Sequence, residues 1–497
     1  MTYRGRVMRI GLVAAVATGA LLLSGSPSSA AGALLPYQTQ TLQWHSCSQG
    51  DCASLRVPLD YNDLSLGDIS VALSRVRHTG STFQGAIVVN PGGPGASGLD
   101  FAKYIARDVA PAVAREFDFI GFDPRGVQHS APVTCMTPKQ TAAWLAMDST
   151  PDSPRETKQV MSTAAKISKG CLKYTPRIAP RVGTAFATQD LDILRSALGQ
   201  EKLNWLGFSY GTALGTSYIA AFPDRVGRFV LDGALDPSLD GMELSFGQSQ
   251  GFQRAFQNYI DDCLAHQPCA LGRTRSAVIA KVNLFLARVD ARPLRTRQGT
   301  PLTQSLAMGG MLTPMYSTDM WEALTDALST AFKGDGTGLL ELAWMGTEQT
   351  GPTTFASNMQ SAYYAIDCWD LPATPNSAGL AAAARRWAVG AAVPEIAKSL
   401  AWSNAPCTSW FAHDPVRPAP VSSPTTAPML IVGTRFDPAT PYAWAQALNR
   451  QLPTSTLLTY EGNGHTAFGS GSRCIDASVS EYLLRGTLPA AGARCSV

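Results

Sequence analysis

Gly207-Phe208-Ser209-Tyr210-Gly211 sets a serine between two glycines, and a serine hydroxyl becomes a useful nucleophile only when an adjacent base takes its proton. The apolar run Leu203 to Leu206 precedes the pentapeptide, and a helical stretch to Phe222, stopped by Pro223, follows it. A Gly-x-Ser-x-Gly motif at a strand-to-helix turn is the context of the nucleophile elbow, in which the acid and the base follow the serine in that chain order. The chain has six histidines, and only His465 sits in a polar loop (Glu461-Gly-Asn-Gly-His465) directly after a late apolar strand. His45, His78, His129, His266 and His413 lack that placement and read as surface or packing residues. In the loop after the preceding strand, Gly433-Thr-Arg-Phe-Asp437-Pro-Ala-Thr440-Pro, Asp437 is positioned to orient the base. Asp232 and Asp236, after the strand that ends at Leu231, rank behind it. Acyl transfer also needs donors for the developing oxyanion. The N–H of Tyr210 is one, and Asn90-Pro-Gly92-Gly93-Pro-Gly95 offers the other, with Gly93 favoured over Gly92.

These groups need elements to hold them. Ala86 to Asn90 ends in Pro-Gly-Gly-Pro-Gly, Phe117 to Phe122 ends in Asp123-Pro-Arg125-Gly, and Arg228 to Leu231 is a further short apolar run. Short apolar runs alternating with helical stretches predict an α/β fold, specifically an α/β-hydrolase with a mostly parallel central sheet flanked by helices. After Asp236-Pro237 the alternation stops. Helical periodicity takes over in Phe252 to Leu264, Ser276 to Val289 and Asp319 to Phe332. Strand patterns return at Pro428 to Gly433 and Ser455 to Tyr460, and Ile475 to Leu484 reads as a closing helix. The expected organisation is a leader (1–31), a first core part (32–240), a mostly helical insertion over 241–425, and a second core part (426–497) carrying the acid and the base.

Composition narrows the class. With 497 residues, 45% hydrophobic and 15% charged, the chain can bury a large core. The net charge of +3 is spread without a basic stripe, which argues against nucleic acid as a partner. Arg4, Arg6 and Arg9 precede the apolar run Ile10 to Leu23, and Ser28-Ser29-Ala30 supplies small residues. This is the pattern of a cleavable export signal. The run of 14 residues falls short of the ~20 that a membrane anchor needs, so no stable membrane insertion is expected once the signal is removed. The expected destination is extracellular or the cell wall. Ten cysteines in an exported chain suggest disulfides, pairing in sequence as 47 with 52, 135 with 171, 263 with 269, 368 with 407 and 474 with 495. No Cys-x-x-Cys or dense Cys/His cluster suggests a metal, and the chemistry calls for no cofactor.

The ordered set Asn90-Pro-Gly-Gly-Pro-Gly-Ala-Ser-Gly98, Gly121-Phe-Asp-Pro-Arg-Gly126, Gly207-Phe-Ser-Tyr-Gly-Thr212, Leu231-Asp-Gly233, Asp437-Pro-Ala-Thr-Pro441 and Gly464-His465 resembles the secreted actinobacterial tripeptidyl aminopeptidases, relatives of proline iminopeptidase. The resemblance spans nearly the whole mature chain. It implies a serine peptidase with Ser209, Asp437 and His465 as triad, acting on peptides with a free N-terminus and releasing short peptides, often tripeptides. A cap could then limit how far the substrate extends. A free α-ammonium needs a carboxylate partner, and Asp367, Asp370, Glu243 and Glu341 are the candidates. Arg125 reads as structural, holding its loop near the site. One departure is that the oxyanion loop opens Asn90-Pro91 where proline iminopeptidases carry His-Gly, which leans away from proline specificity. The same triad would also suit a secreted esterase or lipase, and a binding protein that has lost catalysis is the third alternative.

Overall fold

In a computed structural model, residues 33–266, 268–371, 375–412 and 418–496 are described. The expected leader and His413 lie outside them. Ten strands form one sheet: β1 (His45–Cys47), β2 (Gly50–Pro58), β3 (Asp68–Val76), β4 (Ala86–Asn90), β5 (Asp118–Phe122), β6 (Leu203–Phe208) and β7 (Val226–Asp232), followed, beyond a small separate hairpin β8 (Gln349–Gly351) and β9 (Thr354–Phe355), by β10 (Met429–Phe436), β11 (Ser455–Asn463) and β12 (Arg494–Cys495). Their spatial order is β1-β2-β3-β5-β4-β6-β7-β10-β11-β12. The first three strands run antiparallel to their neighbours, and from β5 to β12 every pair is parallel.

Parallel strands need helices on both faces, so both sets of side chains along them must be apolar. Val88, Ile120 and Ile431 face one core, while Ile87, Phe119 and Leu430 face the other. Successive residues thus bury on opposite sides, and the strands read in sequence as unbroken apolar runs rather than alternating ones. Between β7 and β10 the chain is largely helical, as expected, although it also contains the β8–β9 hairpin and an isolated Leu294–Leu302 bridge. The helix Gly241–Ala265 opens the insertion and packs with those that follow around a core of their own that includes Phe256, Leu286 and Leu328. The helix Met359–Asp370 behaves differently. Its Ala362, Ala365 and Ile366 bury in the core beneath the sheet, and Ser361 Oγ accepts the Cys135 N–H at 3.1 Å.

All five cysteine pairs expected from sequence order are bonded: Cys47–Cys52, Cys135–Cys171, Cys263–Cys269, Cys368–Cys407 and Cys474–Cys495. Among the described residues no helix is long and apolar enough to cross a membrane.

Arg125 supports the loop after β5, as its motif suggested. Its guanidinium is fully buried. It grips Asp190 through Nε (2.7 Å) and Nη2 (2.5 Å), and donates to the carbonyls of Pro58, Leu59 and Arg181 at 3.0–3.2 Å. Tyr61 Oη adds a bond to the same carboxylate at 2.7 Å. Removing one partner of such a pair leaves a buried charge uncompensated. Arg125→Met is therefore expected to lower unfolding stability by about 3–5 kcal/mol, read from guanidinium denaturation. A loss below about 1 kcal/mol would mean that the pair is not buried as described.

Candidate active site

The parallel register brings the loops of interest to one edge of the sheet. Asn90 pairs with Gly207, Phe208 with Asp232, Asp232 with Val432, and Phe436 with Asn463. The loops that start at residues 91, 209, 233, 437 and 464 thus leave the carboxyl ends of neighbouring strands, where open α/β sheets place their ligands.

Ser209 caps the helix Tyr210–Ala221 with φ 54° and ψ −123°, a backbone state that costs a non-glycine residue about 1–3 kcal/mol. Its surroundings hold it there. Ser209 N–H donates to the Asp232 carbonyl at 2.9 Å, and its own carbonyl accepts from Thr212 N (2.8 Å) and Thr212 Oγ1 (2.6 Å). The flanking glycines are needed for space: a Cβ on Gly207 would stand 2.4 Å from Gly211 O, and one on Gly211 would stand 2.8 Å from Asn90 O. Among the described residues Ser209 Oγ has no hydrogen-bond partner. In unliganded sites the nucleophile–base bond is often long and tightens only with substrate.

Asp437 is buried and makes a dense set of bonds. Its carboxylate accepts from the N–H groups of Ala439 (2.9 Å), Thr440 (2.8 Å) and Thr466 (3.2 Å) and from Thr440 Oγ1 (2.9 Å). Both of its oxygens also face His465 Nδ1, at 2.9 and 3.0 Å. Nδ1 is thereby the protonated nitrogen, and Nε2 is left to act as a base. Burial disfavours the imidazolium, but the Asp437 carboxylate outweighs it, so the His465 pKa is raised above its ordinary 6.5. The neutral imidazole, the form able to accept a proton, is lost as pH falls through that raised value. Tyr316 completes the surroundings: its carbonyl accepts the His465 N–H at 2.9 Å, and its ring meets the imidazole edge-on at 5.1 Å.

Neither alternative acid touches the imidazole by hydrogen bond. Asp236 accepts from Ser238 and from Gln451 Nε2 (2.8 Å), a turn-fixing role. Asp232 accepts backbone N–H groups of Ala467 and Phe468. Of the other histidines, His78 pairs with Asp118, His129 with Asp123, and His266 with Asp262, while His45 is exposed on β1.

The loop after β4, where the sequence places one of the oxyanion donors, lies against the serine. A Cβ on Gly92 would fall 2.9 Å from Ser209 Cβ and 3.0 Å from Tyr210 N. Gly92 N–H is already taken by Asn90 Oδ1 at 3.0 Å. Among the described residues, the N–H groups of Gly93 and Tyr210 find no acceptor.

A cavity of about 470 Å³ opens in front of Ser209, lined by Gly93, Tyr210, Tyr363, Asp367 and Asp370 and extending along the helix Tyr210–Ala221 past Ala213, Ser217 and Ala220. The four candidate carboxylates now separate. Glu243 is exposed and closes a capping box with Asp240, accepting the Asp240 N–H at 3.0 Å. Glu341 is exposed and accepts from Gln298 Nε2. Neither lines the cavity. Asp370 does, but its carboxylate caps the helix Thr184–Ala197, accepting from Thr184 N (2.9 Å) and Oγ1 (2.5 Å). Thr184 Oγ1 in turn meets Tyr210 Oη at 2.5 Å. The carboxylate of Asp367, one turn earlier on its helix, accepts no hydrogen bond from any described residue, although its backbone carbonyl accepts the Leu371 N–H at 2.9 Å. Burial pushes its pKa up to about 7, and its charge raises the neighbouring Tyr363 hydroxyl well above the usual range.

The motifs did not single out Thr440 or Tyr316. Thr440 could have been found, since a hydroxyl three residues after Asp437 in Asp-Pro-Ala-Thr forms a turn of the Asx kind. Tyr316 carries no such signal.

Residues 393–495 match the family model described as TAP-like protein. The chain is 35% identical to serine protease Hip1 of Mycobacterium tuberculosis, over 100% of this chain and 99% of the relative. It is 33% identical to carboxylesterase B of the same organism, over 98% of each, and 31% identical to the tripeptidyl aminopeptidase of Streptomyces lividans, over 94% of this chain and 87% of the relative.

Proposed function

The chain belongs to the tripeptidyl aminopeptidase-like family of α/β-hydrolase serine peptidases, and on that premise we propose that it is an exported exopeptidase releasing short peptides, tripeptides foremost, from free N-termini. In this reading His465 Nε2 takes the proton of Ser209 Oγ as that oxygen attacks the scissile carbonyl. The oxyanion is received by the N–H groups of Gly93 and Tyr210. His465, its positive charge balanced by Asp437, then passes the proton to the leaving amine. Water, activated by the same imidazole, frees the acyl peptide. The buried Asp437, held by three backbone donors and Thr440, supports the role of orienting acid.

The observation that carries the exopeptidase reading is Asp367. An acid without a hydrogen-bonding partner, on the wall of the cavity that holds the serine, suits an α-ammonium. The inserted helices from Gly241 onward serve as the cap bounding that cavity, and the five disulfides support export to an oxidising compartment. The test compares tripeptide anilides with free and acetylated N-termini and identifies products from a peptide library by mass. The free form is expected to be turned over with at least a 10-fold advantage in kcat/KM, and three-residue products to dominate. Equal turnover of both forms would overturn the free N-terminus requirement, and activity confined to simple esters would favour the esterase reading, which the name of the relative carboxylesterase B supports.

A further inference from the structure

Asp232 ends β7, and its side chain is fully buried. Its carboxylate accepts the Ala467 N–H on both oxygens (3.1 and 3.0 Å) and the Phe468 N–H at 2.8 Å. Those amides lie two and three residues beyond His465. The carbonyl of the same residue accepts the Ser209 N–H at 2.9 Å. The next residue, Gly233, donates to the Val432 carbonyl on β10 at 3.1 Å. Gly233 has φ 67°, and a Cβ there would press within 2.9 Å of Thr466 Cγ2 and 3.3 Å of His465 Cε1. Two adjacent residues thus touch the nucleophile's backbone, the strand leading to Asp437, and the loop carrying the base.

A buried carboxylate is costly to keep without a cation, and among the described residues no Lys or Arg pairs with Asp232. The titratable groups facing it are His465 and Asp437, and around them stand the Tyr316 ring on the imidazole and Asp476, which holds the following turn through the Gly469 N–H at 2.8 Å. Two carboxylates therefore flank one imidazole, only one of them hydrogen-bonded to it.

We propose that Asp232 is a positioning residue for the reaction: its carboxylate fixes the Ala467–Phe468 backbone so that His465 is held in place, and its charge adds to that of Asp437 in favouring the imidazolium formed as Ser209 is deprotonated. The inference rests on the reading of His465 as general base. Burial raises the Asp232 pKa to about 6, against the pull of its two backbone donors and the imidazole, so the charge is present in neutral solution. By the same electrostatics Asp232 raises the His465 pKa.

The test is the pH dependence of fluorophosphonate labelling at Ser209 and of kcat/KM on a peptide anilide, for the unaltered enzyme, Asp232→Asn and Asp232→Glu. The unaltered enzyme should label at Ser209 with an acid limb whose midpoint lies above 6.5. Absence of labelling, or of that limb, overturns the triad reading and this inference with it. Asp232→Asn keeps the shape but loses the charge and sets an amide NH₂ against a backbone donor. Its plateau rate is expected to fall roughly 10- to 100-fold, with KM unchanged and the acid midpoint moved down by about half a unit or more. A lower plateau with an unmoved midpoint would reduce Asp232 to a structural group, and an unchanged profile would remove it from the reaction. If Asp232→Asn does not fold, Asp232→Glu decides. A plateau reduced through kcat alone at the original midpoint supports the inference, because the charge stays while the grip on the His465 loop is displaced, whereas a plateau reduced together with a raised KM marks a general disturbance of the site and overturns it. An unreduced plateau overturns it.

Discussion

Ser209→Ala is expected to lower kcat by roughly 10⁶-fold on every substrate the enzyme turns over, while leaving the fold and the affinity for a product peptide intact. The size follows from how a triad works. The serine, the base and the orienting acid act as one unit, so removing the nucleophile forfeits nearly everything except the residual contribution of the oxyanion donors and binding. The fold should tolerate the change because alanine at φ 54° bears the same backbone cost as serine, and Ser209 Oγ bonds to no described residue. What holds the turn is the backbone pair from Ser209 N to the Asp232 carbonyl and the two donations from Thr212, all of which survive. Single-turnover assays, fluorophosphonate labelling and a thermal melt together check this. Residual activity above about 1% of the original, or labelling at another residue, would remove Ser209 from the role.

The parts of the site legible in the sequence are those whose position the sheet dictates. Strands buried on both faces read as continuous apolar runs, and β4, β5, β6, β7, β10 and β11 each have such a run ending in a polar loop. Once the elbow serine is recognised, chain order and the rule that sites lie beyond the carboxyl ends of parallel strands leave few residues to choose among. The expectation of Ser209, Asp437 and His465 as the reacting set follows from that. The three antiparallel strands at the start, β1 to β3, carry no comparable signal. In β2 buried Leu55 and Val57 alternate with exposed Ser54 and Arg56, so the apolar density is diluted. The insertion is harder still. Tyr316 reaches His465 from a short helical turn far along the chain, with no motif at either end. The four acids of the insertion look alike in sequence because each is one carboxylate on a helical pattern. Asp240-x-x-Glu243 does spell a capping box, which would have placed Glu243 at a helix start. Asp367 and Asp370 differ only in what lies across the cavity: Thr184 satisfies the Asp370 carboxylate, and no described residue donates to the Asp367 carboxylate. That distinction is a tertiary fact, set by how two distant helices meet.

Asp367→Asn is expected to raise KM for substrates with a free N-terminus by roughly 30- to 150-fold, equivalent to about 2–3 kcal/mol, with kcat altered far less and turnover of acetylated substrates unchanged. An asparagine occupies the same space, so the cavity keeps its shape, but the amide brings no charge to meet an ammonium. The pH dependence gives an independent check. Burial holds Asp367 at about 7, so in the empty enzyme the carboxylate is only partly ionised at neutral pH. Binding of the ionised acid to a cation strengthens as pH rises through 7 and weakens once the substrate amine, with a pKa of about 8, loses its proton. The affinity of the unaltered enzyme should therefore peak in a narrow range between those values. Asp367→Asn should lose the acid side of that peak and keep only the weaker influence of the amine itself. Blocked substrates bring no ammonium, so their KM should carry neither limb. If Asp367→Asn raised KM equally for free and acetylated peptides, the residue would be shaping the cavity rather than recognising a charge. Asp370 would then become the next carboxylate to test, at the cost of disturbing the helix start it caps.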